Sequence, residues 1–379
     1  MDFDLDEELT LLRDMARDFA DRELAPRAAK HDREERIDPE VLSMMTELGL
    51  FGLTIPEAYG GSGMGNLALT VVLEEINRGC AASGVTLSVQ NSLVCAPIIR
   101  YGSEEQKREW LPRLASGMLG AYALTEPGSG SDAAALATRA VRDGGDWVLD
   151  GTKIWVTSGS LAGMVIVYAR TNPDAPKAKG ISAFLVPVDT PGFKVGKHEK
   201  KVGIRGSPAV EIELDGCRVG AGSLLGTLDK GFSIALDTLD GGRIGIAAQA
   251  VGIGRACLDA AIRYSKERRQ FGRPIADFQA IQWKLADMST RLDAARLLVW
   301  RASWLRDRRE PCGREAAQAK LFASRTSNFC ADECLQIHGG AGYTDHFPVE
   351  RWFRDARITE IYEGATDIQR LVIARSLLS

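Results

Sequence analysis

The apolar positions along the chain change their period twice. From about residue 5 to 118 they recur at helical spacing, with Leu11, Leu12, Met15 and Phe19 on one face. Asp38-Pro39 reads as an N-cap followed by proline at the first helical position, and Gly49 as the stop of that helix. Ser103-Glu104-Glu105-Gln106 has the form of a capping box opening another helix.

Between about 119 and 228 the pattern is strand-like. Trp147-Val148-Leu149 and Thr152–Val156 flank Asp150-Gly151, a dipeptide that predicts a tight hairpin. Met164–Tyr168, Ile181–Val188 and Ala209–Leu214 are further β-rich runs, and short strands between Gly/Pro turns predict a small barrel or sandwich. From about 229 helical spacing returns over roughly 240–268, 277–308 and 312–337, long segments with short connections, as in an antiparallel bundle. The expected fold class is therefore α+β multidomain: an all-α domain over 1–118, a β-barrel domain over 119–228 and a helical bundle over 229–379.

Composition narrows the class. A chain of 379 residues is longer than the ~250–300 residues at which single cores stop growing. Its 26% charged and 45% hydrophobic residues are those of a soluble globular protein. A net charge of −4 argues against nucleic acid or an anionic membrane as partner. No uninterrupted apolar run approaches the ~18–20 residues of a membrane span. The acidic, amphipathic start MDFDLDEELTLLRDMARDFA lacks the marks of a secretory signal or transit peptide. The seven cysteines have no CxxC spacing and read as buried thiols in a reducing, cytoplasmic setting. Cys330 and Cys334, four apart, are joined by no histidine pair, and the four histidines are scattered, so no metal is expected.

Four stretches carry candidate chemistry. Pro127-Gly-Ser-Gly130-Ser131-Asp-Ala133 matches GxGxxA, yet strands rather than a helix follow it, which excludes a Rossmann loop. Its backbone amides and hydroxyls suit a flavin or phosphate, and equally a plain loop. The cations of Lys266-Glu-Arg268-Arg-Gln-Phe271-Gly-Arg273 suit a pyrophosphate, or simply a solvated helix end. Gln336-Ile-His-Gly339-Gly340-Ala-Gly342 follows a long helix and reads as a C-cap or a place of close cofactor approach. Ile361-Tyr-Glu363-Gly364-Ala365-Thr366 sets a carboxylate in an apolar stretch, either a desolvated general base or an exposed Glu near a helix start.

Taken together and in order, these stretches resemble the acyl-CoA dehydrogenase family. Tyr122-Ala-Leu124-Thr125-Glu-Pro-Gly-Ser-Gly130-Ser131-Asp is similar to its first signature. Lys153-Ile-Trp155-Val-Thr157, Arg268-Arg-Gln-Phe271-Gly, Gln336–Gly340 and Ile361-Tyr-Glu363-Gly follow at the family's spacing. The likeness runs from end to end and is nearest to short-chain, butyryl-type members. It implies a C-terminal four-helix bundle, a homotetramer, FAD as cofactor and an electron-transferring flavoprotein as acceptor. By resemblance, Tyr122, Leu124, Thr125, Gly130, Ser131, Trp155 and Thr157 line the flavin ring. Arg268, Phe271 and Gln279 hold its pyrophosphate and adenosine side, and Gln336, Gly339 and Gly340 reach the FAD of a neighbouring subunit. Ser131, Asp240, Arg243 and Gly364 would contact the acyl-CoA. Glu363 would take the α-proton while the β-hydrogen leaves as hydride to flavin N5, giving a trans-2-enoyl-CoA. Some branches carry the base within the stretch aligned with Leu239–Arg243, where this chain has Gly241 and Gly242 and no carboxylate at the alternative position, Asp240 matching the substrate-contact Asp instead. Ala365 and Asp367 depart from the family's usual Thr and Glu or Gln beside the FAD. Val251 and Thr359 resemble positions flanking the acyl tail, which implies a substrate of about butyryl size or short and branched. An acyl-CoA oxidase of this family would carry a longer C-terminal extension than a chain ending at Ser379. A non-catalytic flavoprotein or acyl-CoA-binding scaffold would not need Glu363.

Overall fold

A computed structural model describes residues 4–378; positions 1–3 and 379, at the outer ends of the first and last expected domains, lie outside it. Helix α1 (Glu7–Phe19) opens on Asp6, whose carboxylate accepts from the Leu9 amide at 2.8 Å, and turns Ala16 and Phe19 inward. The chain continues through a π-helical turn (Ala20–Leu24), α2 (Ala28–Glu34), α3 (Pro39–Glu47), α4 (Asn66–Gly79), α5 (Ala81–Ser88), a second π-turn (Val89–Cys95), α6 (Ala96–Tyr101) and α7 (Glu104–Ala115). Both arms of the Ser103/Gln106 capping box are formed, at 3.2 and 3.0 Å. Asp38 does precede α3, but its carboxylate pairs with Lys30 at 2.9 Å and caps no helix amide.

The middle of the chain supplies β1 (Leu119–Ala123), β2 (Arg139–Asp143), β3 (Asp146–Thr157), β4 (Ala162–Arg170), β5 (Ile181–Pro187), β6 (Phe193–His198), β7 (Ala209–Val219) and β8 (Leu224–Leu225). They form one sheet in the order β6–β7–β3–β2–β4–β5–β8, with β1 parallel to β4. β2 meets β4 at a single residue pair, Arg139 with Arg170. The two halves share one interior, in which Val156, Val210 and Ile212 meet Val165, Val167 and Phe184.

The expected hairpin at Asp150-Gly151 is absent. β3 runs straight through these residues, and its register against β7 slips between Leu149 and Gly151. Gly151 marks a bulge where the backbone nears Thr138: an added Cβ would lie 2.5 Å from the Thr138 hydroxyl. Asp150 accepts from the Gly216 amide at 2.7 Å. The tight turn falls instead at Gly144-Gly145, between β2 and β3.

The last part holds α8 (Gly231–Glu267), the two-residue strands β9 (Arg269–Gln270) and β10 (Arg273–Pro274), α9 (Gln279–Asp307), α10 (Gly313–His338), α11 (Val349–Ile358) and α12 (Thr366–Leu378). α8 begins nine residues before its expected start. Gly231, which reads as a break in the sequence, lets the helix start against β5, where a Cβ would sit 2.5 Å from the Ser182 carbonyl carbon. From Gly241 to Gly254 every residue of α8 is buried, as for a helix apolar all round at the centre of a core. Its partners include Val72, Leu73 and Ile76 of α4 and Ala319, Ala323 and Cys330 of α10. Two helical stretches, Ala81–Tyr101 and Gly231–Glu267, are long and apolar enough by mean hydropathy to cross a membrane, although neither is an uninterrupted apolar run; 89% and 83% of their most apolar windows are buried inside the fold.

Candidate active site

The chain between α11 and α12 takes a left-handed turn, with φ of 50° at Glu363 and 97° at Gly364. A non-glycine residue is strained there and persists only when its surroundings hold it. Two donors hold this one: Lys320 Nζ and Gln369 Nε2 each donate to the Gly364 carbonyl at 2.7 Å. The turn lays the Glu363 carboxylate over Gly242 of α8, where an added Cβ would lie 2.1 Å from Oε2. Glu363 Oε2 is sealed from solvent and has no hydrogen-bond partner. Burial pushes this carboxyl up to about 7, against the opposing pull of Lys320 and Arg243. Such a group accepts and releases a proton near neutrality, which is what a general base needs.

Around it stand polar side chains that are buried and incompletely paired. The Tyr122 hydroxyl, on β1, has no partner, and its ring lies 5.1 Å from that of Tyr168. Arg243 of α8 donates from Nη1 to Asp240 at 2.6 Å, while its Nε faces Gly364 unpaired. Burial pushes Asp240 up, and Arg243 and Arg306 oppose it. The fold thus brings Glu363, Gly364, Arg243 and Asp240 together, as the sequence predicts. Gln249 is the residue missed: it is wholly buried, donates to Ala81 O at 3.1 Å and accepts from the Tyr362 hydroxyl. Its one signal is polarity amid the apolar run Ile244–Gly254. Gly242, Gly245, Gln249 and Gly252 share a stripe of α8, and Gln249 is its one large side chain. Thr359 is fully buried, with its hydroxyl bonded to Ala356 O at 2.7 Å, and Val251 packs in the core.

The loop after β1 is fastened to β3. Ile154 donates to Thr125 O at 2.9 Å, and the buried Lys153 reaches Glu126 at 2.7 Å and Leu124 O at 3.2 Å. Glu126 also accepts from the Ala137 and Thr138 amides. Burial pushes Lys153 down to about 8 despite this carboxylate. Leu124 is buried, Thr125 and Thr157 are half-buried, and Gly130 and Ser131 are exposed. Only a three-residue 3-10 turn follows, which excludes a Rossmann helix. Trp155, at φ 54° and 62% exposed, presents its indole to solvent beside this loop's anchor.

The remaining motif residues lie elsewhere. Arg268 caps the far end of α8, Phe271 is 92% exposed at φ 51°, and the exposed Gln279 opens α9. Gln336, Gly339 and Gly340 are exposed at the end of α10, joined to the same region by His338 stacking on Tyr264 at 4.2 Å. The 26 residues of α8 from Gly242 to Arg268 span roughly 40 Å. The two groups of motif residues are therefore well separated along α8. Ala365 and Asp367 stay with the Glu363 turn, and the exposed Asp367 pairs with Arg370 at 2.6 Å.

A separate cleft of about 360 Å³ lies between α1, α4, α8 and α9. It is lined largely by ion pairs, such as Arg17–Glu75 at 2.8 Å and Arg296–Glu74 at 2.9 Å. Among the described residues, no cluster of three His, Cys, Asp or Glu could hold a metal.

Three family models match in sequence: the acyl-CoA dehydrogenase N-terminal domain over residues 6–118, its middle domain over 121–217 and its C-terminal domain over 229–378. The chain belongs to the acyl-CoA dehydrogenase family. It is 50% identical over 376 residues to the mitochondrial short-chain specific acyl-CoA dehydrogenase of Bos taurus, covering 99% of this chain and 91% of that one. Butyryl-CoA dehydrogenase from Megasphaera elsdenii superposes with a TM-score of 0.98 at 41% identity, with both chains fully covered. A chain of a structure named for the electron transferring flavoprotein of Acidaminococcus fermentans does so at 0.98 and 44%, again over both whole chains. The protein is accordingly an oxidoreductase of the acyl-CoA dehydrogenase fold, and the family's cofactor is FAD. Two stretches of this chain's surface are open where the resemblance would set that cofactor, Trp155 with Gly128 and Gly130, and Phe271 and Arg268 with Gly339 and Gly340; an added Cβ on any of the four glycines would meet nothing within 4 Å.

Proposed function

We propose that the protein removes the α and β hydrogens of a short-chain or short-branched acyl-CoA, giving the trans-2-enoyl-CoA, with Glu363 as the α-proton base. The observation that carries this reading is the sealed, unpartnered Oε2 of Glu363, held over Gly242 on a strained turn. A thioester α-proton is weakly acidic, so a base poised near neutrality and a polarised carbonyl are both required. Glu363 supplies the base, and its backbone amide, oriented by the clamp on Gly364, supplies a donor for the thioester oxygen. Arg243, Asp240 and Ser131 are assigned to the CoA ester. When bound, FAD accepts the β-hydrogen with its electron pair and carries the redox change.

Tyr122, Leu124, Thr125, Gly130, Ser131, Trp155 and Thr157 would hold the flavin ring, with Ala365 and Asp367 beside it. Arg268, Phe271, Gln279, Gln336, Gly339 and Gly340 would hold the rest from a second protomer, since the two half-sites stand roughly 40 Å apart along α8. Homotetramer formation, electron transfer to an electron-transferring flavoprotein and a cytoplasmic setting belong to the same reading. The last rests on seven buried, unbridged cysteines. Chain length is read from Gln249, which interrupts the stripe beyond Gly242 with a buried side chain tied at both ends, and from Thr359, buried four residues before Glu363.

The test is turnover of an acyl-CoA panel with an artificial electron acceptor. Butyryl-CoA or a short branched thioester should give the highest kcat/KM, and Glu363→Gln should lose ~10²–10⁴-fold or more in rate while keeping flavin. Wild-type turnover in that variant, or equal kcat/KM for palmitoyl-CoA, would overturn the reading.

A further inference from the structure

Lys320 is a buried cation whose charge has no place in the chemistry above. It sits on α10 with a side chain 0% exposed, and its ammonium has one hydrogen-bond partner, the Gly364 carbonyl at 2.7 Å. Full burial of a lysine is costly unless its charge is answered. The acids that answer it electrostatically are Glu363 and, more weakly, Glu360, with Arg243 opposing.

We propose that Lys320 is a positioning residue for the reaction: it clamps the left-handed Glu363–Gly364 turn through the Gly364 carbonyl and provides the counter-charge that lets Glu363 ionise inside the sealed site. Two facts separate this from plain core filling. The strained φ of Glu363 needs an external hold, and the two donors on Gly364 O are that hold. Gln369 is neutral, so of the two only Lys320 brings charge. The charged and titratable groups facing Glu363 are Lys320 from α10, Arg243 with its partner Asp240 from α8, Tyr122 from β1, and Tyr362 from its own segment, while Glu360 acts on Lys320. Asp240 occupies Arg243 through a direct ion pair, which leaves Lys320 as the cation not consumed by another carboxylate at hydrogen-bond distance.

The inference rests on Glu363 being the base, and the experiment separates the two. Holoenzyme is assayed for kcat/KM with butyryl-CoA across pH in wild type, Glu363→Gln, Lys320→Met and Lys320→Gln. Removing an opposite charge from beside an acid makes it harder to ionise, so the acidic limb of both Lys320 variants should move up by about one pH unit or more. Activity at neutral pH then falls about tenfold, recovering toward wild type at high pH more fully in Lys320→Gln, which keeps a donor, than in Lys320→Met. A limb at its wild-type position in both variants overturns the proposal while leaving Glu363 as base if Glu363→Gln is inactive. An active Glu363→Gln overturns both. Should neither neutral variant hold flavin, Lys320→Arg decides: it keeps the charge and changes the reach, so the limb should stay while the plateau rate falls. A moved limb or an unchanged plateau there overturns the proposal.

Discussion

At Glu363 the chain accepts backbone strain and the burial of an acid in one residue, and both are resolved by neighbours distant in sequence. Gly242 makes room for the carboxylate, and Lys320 and Gln369 hold the following carbonyl. The acid itself costs stability once ionised, because burial raises it from 4.5 to about 7 in the folded state. Between those values the folded state binds more protons than the unfolded one, so stability falls as pH rises from about 4.5 to about 7. Glu363→Gln removes that loss. Its gain over wild type should grow with pH, by on the order of 2–3 kcal/mol between pH 5 and pH 8. Thermal unfolding at the two pH values reads it directly; a pH-independent difference between variant and wild type would refute the buried-acid account. The motif around Glu363 was legible as a set of residue types. Lys320 and Gln249 were not, because an isolated Lys or Gln in a helix has no local mark distinguishing a core position from a solvated one.

Among the elements, α8 does two jobs with one sequence. Its glycines admit the Glu363 carboxylate at 242, the Ser88 hydroxyl at 245 and the α4 backbone at 252, while the rest of the helix is core. Gln249 interrupts that small-residue stripe and is fixed at both ends, by Ala81 and by Tyr362. Gln249→Ala should lengthen the accepted acyl chain, raising kcat/KM for hexanoyl- or octanoyl-CoA relative to butyryl-CoA. Each further buried methylene can contribute only ~0.8 kcal/mol, so the shift should be tenfold or so per pair of carbons. An unchanged ratio across the panel would mean that Gln249 does not bound the pocket. The hydrophobic period identified α8 as a helix but set its start nine residues late, since Gly231 is a breaker by propensity and a close-contact residue in the fold. Asp150-Gly151 misled for the same reason, its glycine serving a bulge against Thr138.

For the whole molecule, α9 leaves Trp283, Leu297 and Trp304 at 64%, 43% and 50% exposure. They lie 14 and 7 residues apart, on one side of the helix at the repeat that helices use to pair. Such a face is unfavourable in water and suits burial against another copy. Leu297→Glu should lower the mass measured by light scattering below that of wild type and release flavin, although residue 297 is not among the residues assigned to the cofactor. Assembly and cofactor binding are linked if the two half-sites of one FAD come from different protomers. A fully flavinylated monomer, or an unchanged mass with full flavin, would exclude that linkage.

The sequence by itself determined the α, β, α order and the family, and it singled out Glu363 as the candidate base, because hydrophobic period and short motifs are properties of neighbouring residues. Tertiary structure alone decided which of those motifs share a site. Arg268 and Gln336 belong to one signature series with Tyr122 and Glu363, yet Arg268 stands at the end of the 37-residue α8 while Glu363 lies over Gly242, roughly 40 Å back along the helix. The contacts that shape the base join residues 44 apart, Lys320 to Gly364, and 113 apart, Gln249 to Tyr362. Such pairs meet only through the packing of α8 and α10 against the turn before α12, and packing of that range leaves no periodic trace in one chain.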